Sequence, residues 1–242
     1  MKKILLLSFL VLSFSCVNSQ QKNINNSFKN FIAEDFHSAL VNNKGIILDV
    51  RTLEELNSGI IPGASTINFY DSDFEKKISK IQKDKVVYVY CRSGGRSAKA
   101  AQLLIDLGQK EVINLEGGVM AWKKLGYDLE SYDNKSDNNI KEFTKLEFSE
   151  IISDNNLVLV NFHTLWCVPC RNMAPIIDEL EKKYLNKIYI ARVDLDKAHS
   201  LENEFDINAV PTLILFKGQE IVWRRTGVIS KKELISVLEN QL

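Results

Sequence analysis

Short, continuous apolar runs alternate along this chain with longer stretches in which apolar residues return at helical spacing. The runs Ile46–Val50, Val86–Tyr90 and Leu157–Phe162 are rich in Val, Ile, Leu and aromatic residues and too short for helices, so they read as buried strands. Thr66–Phe69 and Glu111–Leu115 are further strand candidates. Between them, Phe28–Asn43 carries Phe31, Ile32, Phe36, Leu40 and Val41 at helical spacing and is closed by Gly45, which predicts a helix. Asp73–Ile81, Ser97–Leu107 and Arg171–Leu185 follow the same rule, the last through Met173, Ile176, Ile177, Leu180 and Leu185. Strand and helix alternate through the first half, the pattern of a doubly wound α/β domain with a parallel sheet.

Length and charge then bound the picture. A chain of 242 residues, 45% hydrophobic, is long enough for two domains, each burying its own core. Residues 131–139 are Ser, Tyr, Asp, Asn and Lys with almost no apolar side chains, which predicts a linker between domains at 28–130 and 140–242. Lys and Arg number 31 against 31 Asp and Glu, and no basic patch stands out, so nucleic acid is not an expected partner. At the start, Lys2 and Lys3 precede an apolar run from Ile4 to Val11, which is too short to span a membrane and fits a signal peptide over residues 1–16. The small residues before Cys16 resemble a bacterial lipobox, from which Phe14 departs. The resemblance implies a lipidated Cys16, a polar tether over 17–27 and an exported protein anchored to a membrane in the periplasm or cell envelope. Ordinary cleavage near Ser15, leaving a soluble protein with a spare thiol, is the alternative.

The chemistry of the second domain centres on Trp166-Cys167-Val168-Pro169-Cys170, placed where a strand gives way to a helix. A cysteine at a helix N-terminus meets unpaired N–H groups and the positive end of the helix dipole, which favour its thiolate. Cys167 is therefore expected to be the exposed, low-pKa nucleophile, with Cys170 one turn further in to resolve it. Two cysteines so spaced also make half a zinc site, but Cys16 and Cys91 are far apart and His37, His163 and His199 are scattered, so no second ligand pair completes it.

From Asn139 to Leu242 these residues resemble thioredoxin. Val210-Pro211-Thr212, ahead of the apolar stretch Leu213–Phe216, matches the family's cis-proline, and Gly218 and Gly227 match a turn and a small residue of the substrate groove. The resemblance implies a mixed central sheet with flanking helices, a Cys167–Cys170 redox disulfide and a Pro211 that docks extended protein partners. Asn161 stands where the family has a buried acid, His163 where it has an aromatic residue, and Val168 where its motif has Gly. The missing proton acceptor leaves the redox direction open.

In the first domain, the turn after Tyr90 reads Cys91-Arg92-Ser93-Gly94-Gly95-Arg96-Ser97. A cysteine at the carboxyl end of a buried parallel strand, in a Gly-containing loop that opens a helix, faces a ring of backbone N–H groups and two guanidinium groups, a cradle for an anion on sulfur. A buried structural cysteine beside surface arginines is the plainer alternative. With Asp49-Val50-Arg51 and Glu55, Gly59-Ile60-Ile61-Pro62-Gly63-Ala64, and Leu115-Glu116-Gly117-Gly118 followed by Trp122, the stretch from about Phe28 to Glu130 resembles a rhodanese domain. Ile60 replaces its usual histidine. The resemblance implies a parallel sheet flanked by helices and a Cys91 that takes sulfane sulfur from a donor, with Arg92 and Arg96 attracting an anionic donor and the amides of Ser93, Gly94 and Gly95 stabilising the persulfide. Cysteine phosphatases of this fold place five residues between cysteine and arginine; here there are four, Arg92 to Gly95, a smaller ring that suits sulfur better than phosphate. Arg51 and Glu55 are expected to form a fold-holding ion pair, Trp122 to be core and His37 to lie on a solvated helix face. The expectation is thus a sulfurtransferase domain joined to a disulfide reductase, with no metal and no cofactor; a reductase whose first domain only binds partners is the alternative.

Overall fold

A computed structural model of the chain describes residues 27–42, 45–132 and 143–242. The first domain is a five-stranded parallel sheet in the order β1-β5-β4-β2-β3, built from β1 (Lys29–Phe31), β2 (Ile46–Asp49), β3 (Ser65–Thr66), β4 (Val86–Tyr90) and β5 (Glu111–Leu115). Its helices are α1 (Ala33–Asn42), α2 (Leu53–Leu56), α3 (Phe74–Ser79), α4 (Gly95–Asp106) and α5 (Gly118–Lys124). Helices on both faces of a parallel sheet leave its central strands with no wet side, and this explains why they are mostly apolar, β4 without a break. One face packs Leu48, Val87, Val89 and Cys91 against Ala100, Leu104 and Phe74; the other packs Tyr88, Tyr90, Ile113 and Leu115 against Phe36, Val119 and Trp122.

The second domain has a four-stranded mixed sheet, order β7-β6-β8-β9, from β6 (Leu157–His163), β7 (Tyr189–Asp194), β8 (Thr212–Lys217) and β9 (Glu220–Thr226). β6 runs parallel to β7 and antiparallel to β8, which in turn is antiparallel to β9. Around it lie α6 (Lys145–Asp154), α7 (Val168–Lys183), α8 (His199–Glu204) and α9 (Lys231–Glu239). Local chemistry starts these helices: Thr144 and Glu147 form a capping box on α6, and Ser230 accepts from the Glu233 amide on α9. β6 is buried on both faces from Leu157 to Phe162, and sealing each such aliphatic side chain contributes about 1.5–3 kcal/mol.

Three expectations need correction. Lys29–Phe31 is not the first turn of a helix: it pairs with Ile113–Leu115 as an edge strand, and α1 begins only at Ala33. The Thr66–Phe69 run forms a ladder only over Ser65–Thr66, after which the Ile67 and Phe69 amides donate singly to the carbonyls of Asp49 and Val50. His37 is half-buried rather than solvated, its ring stacked 4.2 Å from that of Tyr127. Trp122 is core, as expected, with its indole N–H donating to the Asp128 carbonyl. The signal peptide, the tether and Cys16 lie outside the described residues; among those described, no helix is long and apolar enough to cross a membrane.

Candidate functional site

Cys91 follows β4 directly and is buried, 1% exposed. Gly94, at φ +94°, bends the chain so that its amide donates to Cys91 Sγ at 3.2 Å and α4 starts at the next residue. Ser97, in the first turn of α4, donates its hydroxyl to Sγ at 3.4 Å. Burial pushes the thiol pKa up, but the hydrogen bonds from Ser97 and from the Ser93 and Gly94 amides outweigh it and bring it below its ordinary value. The loop is fixed from behind by α5. The amides of Val119 and Met120 donate to the carbonyls of Cys91 and Arg92, which turns the opposite side of the loop, the N–H side, toward the sulfur. Such close approach requires glycine: a Cβ on Gly118 would stand 2.4 Å from the Cys91 carbonyl oxygen.

The arginines divide into three roles. Arg51 does not pair with the Glu55 carboxylate: its guanidinium is buried against Asp49, 2.5 Å from Oδ2, and donates to the carbonyls of Glu55 and Gly59. This frees the Glu55 carboxylate for Arg96, which it grips with both oxygens at 2.7 Å. The Arg96 guanidinium holds the carboxyl down at about 2 and lies over the Tyr70 ring. Arg96 is therefore a strut of the loop already matched in charge. Arg92 is exposed at the loop's outer side.

In the second domain the expected disulfide is present. Cys167 is the N-cap of α7, its Sγ bonded to that of Cys170 and accepting from the Cys170 amide at 3.2 Å, with Pro169 at the start of the helix. Val210–Pro211 is cis, and Val210 packs in one apolar cluster with Cys167 and Cys170. The Gly227 amide, at φ +95°, donates to the Pro211 carbonyl at 2.8 Å. Asn161 is buried between β7 and β8, as its place in the sequence implied. The expected exposure of Cys167 is not found. It is 3% exposed and Cys170 5%, both within the apolar cluster that holds Phe162, Val193 and Val210. Trp166 packs against the apolar clusters of both domains, and the Val168 amide donates to Ser65 Oγ at 3.1 Å.

Both domains have relatives. The thioredoxin family model matches residues 139–240 and the rhodanese-like domain model residues 33–125. A thioredoxin of Buchnera aphidicola from Schizaphis graminum is 34% identical over 106 residues, 43% of this chain and 98% of that protein. The chain belongs to the thioredoxin family. A Synechocystis thioredoxin is 36% identical over 39% of this chain and 90% of its own length. A solved thioredoxin of Plasmodium falciparum, 32% identical, covers 40% of this chain and 92% of that one with a TM-score of 0.38. A thioredoxin domain with a cysteine pair joined by a disulfide, beside a rhodanese-like domain, makes this a thiol-redox protein.

Several parts of the site are not marked in the sequence as such. Ser97 reads only as a helix-start residue, Glu55 as a partner for the wrong arginine, and Ser65 as an ordinary strand residue. Gly117-Gly118 was the one available signal for the support behind the Cys91 loop.

Proposed function

We propose that the two reactive groups act in series, Cys91 carrying sulfane sulfur and the Cys167/Cys170 dithiol releasing it as sulfide. The observation that carries this reading is the cradle of N–H and O–H donors around the Cys91 sulfur, with its pKa lowered in spite of burial. Such a cradle stabilises a thiolate before reaction and a persulfide anion after it. In the first step the Cys91 thiolate attacks the outer sulfur of a donor such as thiosulfate, the donor's S–S bond breaks, and sulfite leaves with the electron pair. The Cys167 thiolate next attacks the outer persulfide sulfur and Cys91 departs as thiolate. Cys170 then attacks Cys167 Sγ, closing the disulfide and expelling sulfide, which takes a proton from water. The dithiol gives up two electrons and an external thiol reductant restores it.

Transfer needs motion between the domains. Cys91 is buried in an apolar cluster of the first domain and Cys167 in one of the second, so the thioredoxin domain must leave its present seat before Cys167 can reach the persulfide. The signal-like start and the lipobox-like residues before Cys16 support an exported, lipid-anchored protein, and outside the cytoplasm thiols tend to oxidise and a tethered reductase has a use.

Thiosulfate sulfurtransfer, aryl phosphate hydrolysis and insulin reduction, measured side by side on the purified protein, test the reading. Sulfurtransfer and insulin reduction without phosphatase activity are expected. Insulin reduction alone would leave the rhodanese domain as a binding module.

A further inference from the structure

Three backbone groups beside the disulfide are taken by the rhodanese domain. The Val210 amide donates to the Lys80 carbonyl at 3.1 Å, and Gln82 Nε2 donates to the Val210 carbonyl at 3.2 Å. Val210 precedes β8, whose ladders begin at Thr212, so neither group is used by its own sheet. The Gln82 side chain also fills the space over Gly227: a Cβ built there would stand 2.9 Å from Gln82 Oε1. On the other side of the disulfide, the Val168 amide is held by Ser65 Oγ. Lys80 is 2% exposed and its Nζ sits 2.5 Å from Glu202 on α8, a buried ion pair that fixes this stretch to the second domain.

An extended backbone segment with a free N–H and C=O next to a reactive disulfide is an edge that a partner peptide can extend, with main-chain hydrogen bonds giving affinity. We propose that Lys80–Gln82 occupies this edge as an internal stand-in for such a peptide, so that the dithiol has a closed, self-occupied state and an open state that accepts an extended segment of a disulfide-bearing protein. The stand-in copies the pairing such a segment would make. The Lys80 carbonyl accepts as a peptide carbonyl does, and the Gln82 carboxamide supplies the N–H that the next peptide group would offer. It cannot be consumed, because it carries no cysteine. Being part of the same chain, it competes at an effective concentration on the order of millimolar, so a partner that docks weakly is excluded and one that docks well opens the gate. Opening is the same movement that the transfer of sulfur from Cys91 requires. The inference rests on the thioredoxin-type dithiol and not on sulfur transfer, and its test uses no sulfur donor.

The test compares the unmutated protein with Gln82→Ala and with a double variant that adds Lys80→Glu to it, which replaces the buried ammonium with a carboxylate facing that of Glu202. Three readouts are taken on the full chain: hydrogen exchange at the Val210 amide, alkylation of Cys167 in the reduced protein, and the rate of insulin reduction. Loss of the Gln82 hydrogen bond, worth about 1 kcal/mol, should raise all three several-fold, and replacing the Lys80–Glu202 attraction by repulsion in the double variant should raise them about tenfold or more. Circular dichroism checks that the variants stay folded, and Ser65→Ala, at the far side of the disulfide, gives an independent second variant with the same expected direction. If the unmutated protein already exchanges the Val210 amide and alkylates Cys167 as fast as the variants, the edge is not self-occupied and the proposal is wrong. A failure of sulfurtransfer with these three rates behaving as stated would reject the relay alone.

Discussion

Glu55 holds Arg96 with two hydrogen bonds of 2.7 Å, and through it ties α2 to the first turn of the helix that carries the Cys91 loop. The pairing keeps the Glu55 carboxyl at about 2, well below the ordinary value of a glutamate. A depressed carboxyl stabilises the fold fully above its unfolded value of about 4.3, and that contribution is lost as pH falls toward the folded value. Glu55→Gln should therefore be less stable than the unmutated protein at neutral pH, with the gap closing as the pH is lowered below about 4.3. Urea unfolding at several pH values checks it; a gap constant with pH would mean that Glu55 acts by packing alone.

Ser97 is the side-chain donor to the Cys91 sulfur, at 3.4 Å. Ser97→Ala removes a hydrogen bond that favours the thiolate, so the Cys91 thiol should titrate at higher pH than in the unmutated protein. The ultraviolet absorbance of the thiolate, followed against pH in a Cys167→Ser/Cys170→Ser background, reads the shift. An unchanged or lowered titration would show that the amides suffice.

Gly118 lets α5 approach the back of the loop, and its φ of +59° is one that side chains with a Cβ adopt at a cost. With the added Cβ at 2.4 Å from the Cys91 carbonyl oxygen and 2.6 Å from the Arg92 carbonyl carbon, Gly118→Ala must shift backbone. It should destabilise the first domain by about 2 kcal/mol or more and reduce sulfur loading of Cys91. Denaturant unfolding, with loading measured by cyanolysis, checks both.

The strands Val86–Tyr90 and Glu111–Leu115 were legible residue for residue, the first because burial on both faces makes it wholly apolar, the second although Glu111 opens it and Asn114, bonded to Asn30, interrupts it. Lys29–Phe31 was not, since a three-residue edge strand carries no period of its own and its pairing with Ile113–Leu115 comes from residues more than eighty positions away. The disulfide pair was legible from a local motif, and so was the place of Cys91 in the turn between β4 and α4. The arginine partners were not. Arg51 and Glu55 sit one helical turn apart and suggest a pair, but Asp49 and Arg96 outcompete them through geometry that only the folded chain defines. The contacts beside the disulfide escaped for the same reason: each domain's sequence states its own pattern, and nothing in either states that Ser65, Lys80 and Gln82 will meet Val168 and Val210.

The central claim is that Cys91 loads sulfur and the dithiol unloads it, and mass spectrometry after a pulse of thiosulfate tests this most directly. The reduced unmutated protein should release sulfide and finish with Cys167 and Cys170 joined. Cys167→Ser should retain one added sulfur on Cys91 until a thiol is supplied, and Cys170→Ser should hold one added sulfur on Cys167, with nothing to displace it. If the Cys167→Ser protein sheds its Cys91 sulfur as fast as the unmutated protein, with no external thiol present, the two sites do not act in series.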